Sequence, residues 1–254
     1  MAMLHIIQSE HLKYKRTFTR RLLLLAPLLF ILIALLQKLL MPAGYLRPWQ
    51  LLLSQVYNWW PVLFMPLGTA LLASLVQLQE KRAGNYRNVR VHPVSLTAIW
   101  AGKIALMAYH LLFSTLVLMA AVLLSGFLTA SGTIPWFTIV AGGLTIWFTS
   151  LPLIPLQLWA AAWQGTFLSM AIGFLGMVAG VLAAPTSYWV YVPWSWPTRL
   201  MSPIVGVHPN GVPLETSDPL REAAVIPAGI GLAMLALILF TLVTSLWFQR
   251  REAR

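Results

Sequence analysis

The chain has 254 residues, of which 59% are hydrophobic and only 9% are charged, and its net charge is +11. A soluble domain is usually about 25% charged, so this composition excludes a single water-soluble core and indicates a membrane protein. The uninterrupted apolar runs lack the alternation of barrel strands, which predicts an all-α membrane protein. Because cysteine is absent, disulfides, thiolate metal sites and cysteine nucleophiles are excluded.

Residues 1–21 predict an amphipathic helix that lies along the inner leaflet ahead of the first span. Apolar residues recur on one arc at helical spacing, and Lys13, Arg16 and Arg20 fall on the opposite arc, where headgroups can be contacted. Lys15 interrupts this pattern. The alternative is an ordinary basic flank that anchors the first span.

A window of about 20 apolar residues predicts six membrane spans. The boundary between the fourth and the fifth is the least defined, because the segment between them carries no charge, and merging the two would put the C-terminus outside. The predicted spans are Leu22–Leu40, Trp59–Leu78, Ile104–Leu128, Trp136–Leu156, Phe167–Ala184 and Ala223–Phe248.

Lysine and arginine are concentrated at one side of this topology. With the N-terminus inside, 13 of the 17 basic residues fall on the inner side, and Lys38, Arg47, Arg199 and Arg221 remain outside. The positive-inside rule therefore predicts that both termini are cytoplasmic. The cations cluster at span ends rather than on a solvated face with stacking aromatics, so the expected partners are membrane lipids and not nucleic acid.

The predicted outer side is rich in tryptophan. Amphipathic indoles favour the headgroup level, and the segment 185–222 is too apolar for a free aqueous loop and too broken by proline to span. We expect this segment to be re-entrant or to lie on the outer surface. The tryptophans at or near outer boundaries are Trp59, Trp60, Trp136, Trp189, Trp194 and Trp196, and all except Trp136 are candidate residues of a substrate path.

Two features lie within the spans themselves. His110 is the one ionisable residue deep in a predicted span, which makes it a candidate for the substrate path, although a hydrogen-bonded packing histidine is the favoured interpretation. Gly176 and Gly180 have the small-xxx-small spacing that lets helices approach closely. Packing within the bundle and a subunit interface both fit this spacing, and the first is favoured.

The sequence offers no catalytic constellation. None of the six acidic residues lies in the core of a predicted span, the five histidines lack ligand spacing, and there is no G-x-x-x-x-G-K-[ST] motif. We therefore expect no catalytic residues, no metal and no cofactor bound by this chain, so that any work is powered elsewhere.

One long loop is predicted on the inner side, between the second and third spans. Its central part, "RAGNYRNVRV", predicts a helix of about two to three turns that presents Tyr86, Arg87, Asn88 and Arg90. Tyrosine and arginine often anchor protein interfaces, which favours a docking surface. A merely solvated basic loop is the alternative.

Two stretches resemble the permease subunits of lantibiotic-immunity ABC transporters, within the ABC type 2 permease group. They are "SEHLKYKRTFTRRLLLLAPLL" and "YNWWPVLFMPLGTALLASLVQLQEKRAGNYRNVRVHPVSLTAIWAGK". The resemblance covers about the first 110 residues, and beyond them it rests on topology. It implies an amphipathic connecting helix at Met3–Arg20, a coupling helix at residues 83–91 that inserts into a separate ATPase, and an extracellular element at residues 185–222 that gates the exit.

The resemblance also implies partners and a cargo. Two permease subunits, identical or homologous, would assemble with two copies of a cytosolic ABC ATPase that binds ATP and Mg²⁺. Together they would remove a lantibiotic-like peptide from the bacterial cytoplasmic membrane. The alternatives are an exporter of another cargo, such as a drug, a lipid or a polysaccharide precursor, and a membrane sensor or scaffold that transports nothing.

Overall fold

Long apolar helices make up most of the chain. The computed structural model describes residues 8–12, 18–42, 44–84 and 95–252. Five helical stretches in these ranges are long and apolar enough to span a membrane, and one bent pair of helices supplies a sixth. The predicted all-α, multi-span membrane fold is thus confirmed.

Residues 8–12 are helical, and the remaining elements follow in chain order. Two strands of two residues each, β1 and β2, pair in parallel with Arg47 beside Ala130. The elements are α1 (Phe18–Leu40), β1 (Arg47–Pro48), α2 (Trp49–Trp59), a π-helical turn (Trp60–Phe64), α3 (Met65–Arg82), α4 (Leu96–Thr129), β2 (Ala130–Ser131), α5 (Trp136–Ser150), α6 (Leu153–Gln164), α7 (Thr166–Ala183), α8 (Trp196–Val205) and α9 (Val225–Glu252).

The second span is longer than the sequence predicts. Helices α2 and α3 run through the π-helical turn as one stretch of 34 residues, which begins at Trp49, ten residues before the predicted start at Trp59. The turn is π-helical because the Met65 N–H donates to the Trp60 carbonyl, five residues back. Pro61 lies in this turn and has no N–H to donate, so one backbone hydrogen bond of the helix is lost there, and the π-helical turn accommodates this loss. Such turns occur often at functional sites.

Two tryptophans that the sequence places at the outer boundary of the second span lie within this longer helix. Trp60 is buried and stacks on Phe64, with ring centroids 5.2 Å apart, and Trp59 precedes it in the same stretch. Their predicted place at the membrane boundary stays a prediction. The helix also includes Gln50 and Asn58, which precede the predicted span. In the structure the Gln50 amide donates to the carbonyl of Val205, the last residue of α8. The Asn58 amide donates to the carbonyl of Pro209, which follows α8.

The fourth predicted span is interrupted. Helices α5 and α6 meet at an angle of 41°, and the break lies at Leu151 and Pro152, inside the predicted span. Proline at this point cannot continue the hydrogen-bond ladder of α5. The chain then turns at Gly165, whose φ of +83° is in the range that favours glycine, and enters α7.

The core brings the first and the last described helical residues to the same end of the bundle. Glu10 contacts Lys103 near the start of α4. Trp100, in the same part of α4, is fully buried and stacks on Phe248 near the end of α9, with ring centroids 4.6 Å apart. We call this the loop end, because α3 ends and α4 begins there. We call the opposite end, where segment 185–222 lies, the cap end.

Candidate functional site

A buried ion cluster lies at the base of the loop between α3 and α4. The Lys103 ammonium donates to Glu10 Oε2 and to Glu80 Oε1, each at 2.7 Å. The lysine side chain is 0% exposed and each carboxylate side chain is 5% exposed. We refer to these three residues as the Lys103 cluster.

The Lys103 cluster ties three separate elements together. Glu10 belongs to the N-terminal helical residues 8–12, Glu80 is two residues before the end of α3, and Lys103 lies two turns into α4. A buried ammonium is very costly unless carboxylates and hydrogen bonds compensate it. The two helices that flank the loop are therefore held at a fixed distance from each other and from the N-terminal segment.

A second contact reinforces the N-terminal segment. The ring of His11 stacks on that of His110, with centroids 5.8 Å apart. The consecutive residues Glu10 and His11 therefore contact α4 seven residues apart, at Lys103 and His110. His110 is buried, and its Nδ1 lies 2.8 Å from the Leu106 carbonyl oxygen. Because a carbonyl only accepts, Nδ1 carries the proton and donates. This geometry gives His110 a packing role, and its predicted place in a substrate path stays a prediction.

The chain enters and leaves the loop at defined points. Gly84 has a φ of +98° just after α3, a conformation that ends helices because glycine has no Cβ to clash. Ser95 precedes α4 and its hydroxyl lies 2.6 Å from that of Thr97. The predicted docking residues Tyr86, Arg87, Asn88 and Arg90 lie outside the described residues, as do Lys13 and Arg16, while Arg20 is in the first turn of α1.

An apolar cleft lies between α1, the π-helical turn, α3 and α4. Its volume is about 300 Å³. No heavy atom lies within 4 Å of the position that a Cβ would take at Gly68, so the missing side chain contributes to the space. The cleft could accommodate an apolar group but offers few hydrogen-bond partners. Its lining comprises Thr19, Leu22, Leu23, Ala26, Trp60, Leu63, Phe64, Met65, Leu67, Gly68, Leu71, Leu72, Leu111, Ser114 and Met170.

The predicted glycine pair packs against a tryptophan of the same chain. A Cβ at Gly176 would lie 2.2 Å from the Trp194 ring, and a Cβ at Gly180 would lie 2.8 Å from the Trp194 backbone. Small residues here let the turn at residues 193–195 sit directly on α7. The spacing thus serves a close contact within the chain.

The segment 185–222 forms a cap that reaches into the bundle. Helix α8 is largely buried, and Trp189 and Trp196 are also buried, with the Trp196 indole donating to the Trp189 carbonyl at 3.0 Å. Asn58 donates to the Pro209 carbonyl at 2.9 Å, and Tyr57 anchors α5 through the Ile139 carbonyl at 2.6 Å. The cap is therefore fixed to α2.

The basic residues at the cap end are engaged with oxygens of the chain itself. Burial lowers the pKa of the Arg199 guanidinium, and the carboxylates of Glu222 and Asp218 partly oppose this shift. Burial also lowers the pKa of Arg47. Each of the four predicted outer cations is a hydrogen-bond donor: Lys38 to Leu128, Arg47 to Gln37 and Gln55, Arg199 to Leu220, and Arg221 to Glu215 and Leu214.

The Lys103 cluster is the feature that sequence reasoning missed. By sequence Lys103 counts among the 13 basic residues of the inner side, just ahead of the predicted third span, whereas α4 begins at Leu96 and carries it into the bundle. One signal was available: Lys103 is the only charged residue between Arg90 and Arg199. A lone lysine in so long an apolar run indicates a buried partner. Nothing local identified Glu10 and Glu80 as that partner.

Within the described ranges, no group of three or more histidine, aspartate or glutamate residues comes together in a way that could hold a metal ion. The family model described as ABC-2 family transporter protein matches residues 6–180, more than half of the chain. No curated protein and no solved structure matches the chain.

Proposed function

The chain belongs to the ABC-2 transporter family, and from this premise we propose that it is the permease subunit of an exporter that removes lantibiotic-like peptides from the membrane. The chain supplies the multi-pass membrane part of an ABC transporter. ATP and Mg²⁺ are bound by a separate cytosolic ATPase in this proposal. Two copies of that ATPase and a second permease subunit, identical or homologous, complete the assembly.

The observation that carries the coupling part of the proposal is the Lys103 cluster. The cluster joins both helices that flank the loop to the N-terminal segment through bonds of 2.7 Å. A force on the loop would act on α3, α4 and the N-terminal helix together, since none of the three can move away without exposing a buried charge. Such a rigid base suits a loop that receives motion from a motor protein.

The distribution of basic residues supports the orientation. Residues 8–12, the end of α3, the start of α4 and the last turns of α9 lie at one end of the bundle, and most of the basic residues belong to or adjoin these segments. By the positive-inside rule that end faces the cytoplasm, where an ATPase can reach it. The cap would then face the outside of the bacterial cytoplasmic membrane and gate the exit.

When ATP binds, the ATPase dimer would close and displace the predicted coupling helix at residues 83–91. Packed helices switch between discrete arrangements rather than bending continuously, so the displacement would shift whole helices. The π-helical turn at Trp60–Phe64 and the break between α5 and α6 are the points where the helices are already interrupted. Movement at these points would open a path for the cargo.

The apolar cleft bears on the choice of cargo. Its lining is almost wholly apolar, which suits the hydrophobic face of an amphipathic peptide better than a polar solute. Trp60 and the π-helical turn line it directly. The same lining would also accept a drug or a lipid tail, so cargo assays need several classes of compound.

The coupling role is tested with the double variant Tyr86→Ala/Arg87→Ala. The proposal requires a cytosolic ATPase with a Walker motif, which is sought among the neighbouring reading frames. The protein is co-expressed with that ATPase, and ATPase co-purification and lantibiotic tolerance are measured. We expect both to fall, because large interface anchors are removed. The control variant is Tyr188→Ala/Tyr191→Ala at the cap end, where both tyrosines are exposed, and it should retain the ATPase.

Three outcomes would contradict parts of the proposal. Unchanged co-purification and unchanged tolerance in Tyr86→Ala/Arg87→Ala would reject the coupling role. Cells that are protected against detergents or other non-peptides only, and not against lantibiotics or bacitracin, would keep the exporter and overturn the peptide cargo. The complete absence of an ATPase partner would favour the sensor or scaffold instead.

A further inference from the structure

A second cleft lies at the loop end, beside the C-terminal part of α9. Its volume is about 650 Å³, and it is lined by Trp163, Val243, Leu246, Trp247, Arg250 and Arg251. It is separate from the Lys103 cluster and from the apolar cleft, and neither coupling nor cargo binding explains it. We call it the arginine cleft.

The arginine cleft has an apolar part and a cationic part along one helix. Val243 and Leu246 are 56% and 52% exposed and lie two turns and one turn before Arg250. In an α-helix residues three and four apart share a face. The apolar residues are therefore followed along the helix axis by two guanidinium groups, and no acidic residue of the described chain lines the cleft.

The cationic part is partly preformed by neighbouring groups. The Arg251 guanidinium lies 5.2 Å from the centroid of the Trp247 ring and also donates to the carbonyl of Ala162, near the end of α6. Trp163 contacts Trp159, with ring centroids 5.2 Å apart. These contacts hold Arg251 at the rim of the cleft, so its charge does not have to be ordered when a ligand binds.

Its position fits the boundary between apolar chains and headgroups. Only 11% of the most apolar window of α9 is buried inside the protein, so this helix presents its surface to lipid. Trp247, Arg250 and Arg251 at the end of this helix, with Trp163 of α6 beside them, match the interfacial belt of membrane proteins. Basic pockets between helices at this level bind the headgroups of anionic lipids.

We propose that the arginine cleft binds one anionic phospholipid. The phosphate lies against Arg250 and Arg251, and an acyl chain follows Val243 and Leu246 between the α9 surface and Trp163. The charges recognise the phosphate together with the second negative charge or hydroxyl groups of a headgroup such as phosphatidylglycerol. A zwitterionic headgroup carries an ammonium that two guanidinium groups repel.

Native mass spectrometry of the full-length protein in detergent tests this site. Phosphatidylglycerol and phosphatidylcholine are titrated separately, and the apparent Kd of the first bound lipid is measured. We expect phosphatidylglycerol to bind more tightly and the variant Arg250→Gln/Arg251→Gln to lose affinity by roughly five- to thirty-fold. Arg250→Lys/Arg251→Lys should retain most of the preference for phosphatidylglycerol, because it keeps both charges.

The matched control removes two charges elsewhere at the same end. Arg21→Gln/Arg82→Gln has the same net charge as the test variant, and neither residue lines the cleft. It should leave the first Kd unchanged. Because Arg251 also contacts Trp247 and Ala162, the single variant Arg250→Gln serves as a second test that leaves these contacts in place, and it should weaken phosphatidylglycerol binding about five-fold.

Three results would overturn the proposal. Equal Kd values for the two lipids would show that the cleft does not select charge, and equal losses in the test and control variants would show a bulk charge effect. Displacement of phosphatidylglycerol by millimolar inorganic phosphate would identify a free anion site instead. The lipid site does not depend on the cargo or on the ATPase, so its failure leaves the proposed export function intact.

Discussion

The substitution Lys103→Met tests whether the Lys103 cluster holds the loop end together. Methionine keeps the length and the apolar part of the side chain but removes the ammonium that contacts Glu10 and Glu80 at 2.7 Å. Two carboxylates would then remain in a site where their side chains are 5% exposed. Solvent screening cannot relieve them there, unlike charges at an open surface.

The magnitude follows from the burial. Removing one partner of a buried ion pair costs about 3–5 kcal/mol, and a chain of this size loses roughly 2–4 °C in Tm per kcal/mol. We expect Lys103→Met to lower the Tm by roughly 6–20 °C in a fixed detergent. Thermal unfolding of the purified protein, followed by tryptophan fluorescence, gives the measurement. The control Lys38→Met, at an exposed lysine that donates to a carbonyl, should change the Tm by a few degrees at most, about 1 kcal/mol.

The triple variant Lys103→Met/Glu10→Gln/Glu80→Gln separates charge from packing. It removes the charge imbalance and keeps acceptor oxygens in place, so most of the lost stability should return. A Tm for Lys103→Met equal to that of the wild type would refute the buried cluster. A triple variant as unstable as the single one would refute charge imbalance as the cause.

Two glycine positions give further predictions, with Gly231 in α9 as a common control because it too has open space at its Cβ position. Gly68→Leu should reduce the volume of the apolar cleft, since no neighbouring atom lies within 4 Å of the added Cβ, and should abolish lantibiotic protection that Gly231→Leu retains. Protection in both variants would remove the cleft from the cargo path. Gly176→Ala should destabilise the protein by about 1–3 kcal/mol, because its Cβ would meet the Trp194 ring at 2.2 Å, whereas Gly231→Ala should not. Thermal unfolding measures both, and an unchanged Tm for Gly176→Ala would mean that the tryptophan turns away at no cost.

The family resemblance and the membrane fold could be predicted from the chain, but the interior of the site could not. Tyr86 and Arg87 are predicted docking residues because tyrosine and arginine, in a loop on the inner side, often anchor protein interfaces. Their role remains a prediction. Lys103 was visible as a lone charge in an apolar run, yet its partners lie 93 and 23 residues away. No local pattern reports such a pairing, because the cost of burying a charge depends on what the fold brings beside it.

The sequence alone determined that the chain is a bundle of apolar helices, and it predicts that 13 of the 17 basic residues lie on one side. The summed hydropathy of consecutive residues decides whether a segment enters the bilayer, and the lysines and arginines in the flanking loops decide its orientation. Both can be read from the sequence. Tertiary structure decided which polar side chains enter the bundle. Asn58 precedes the predicted second span but lies in α2, where the Pro209 carbonyl, 151 residues away, accepts its hydrogen bond. A polar group is stable inside an apolar bundle only where a partner meets it, and only the folded chain supplies that partner.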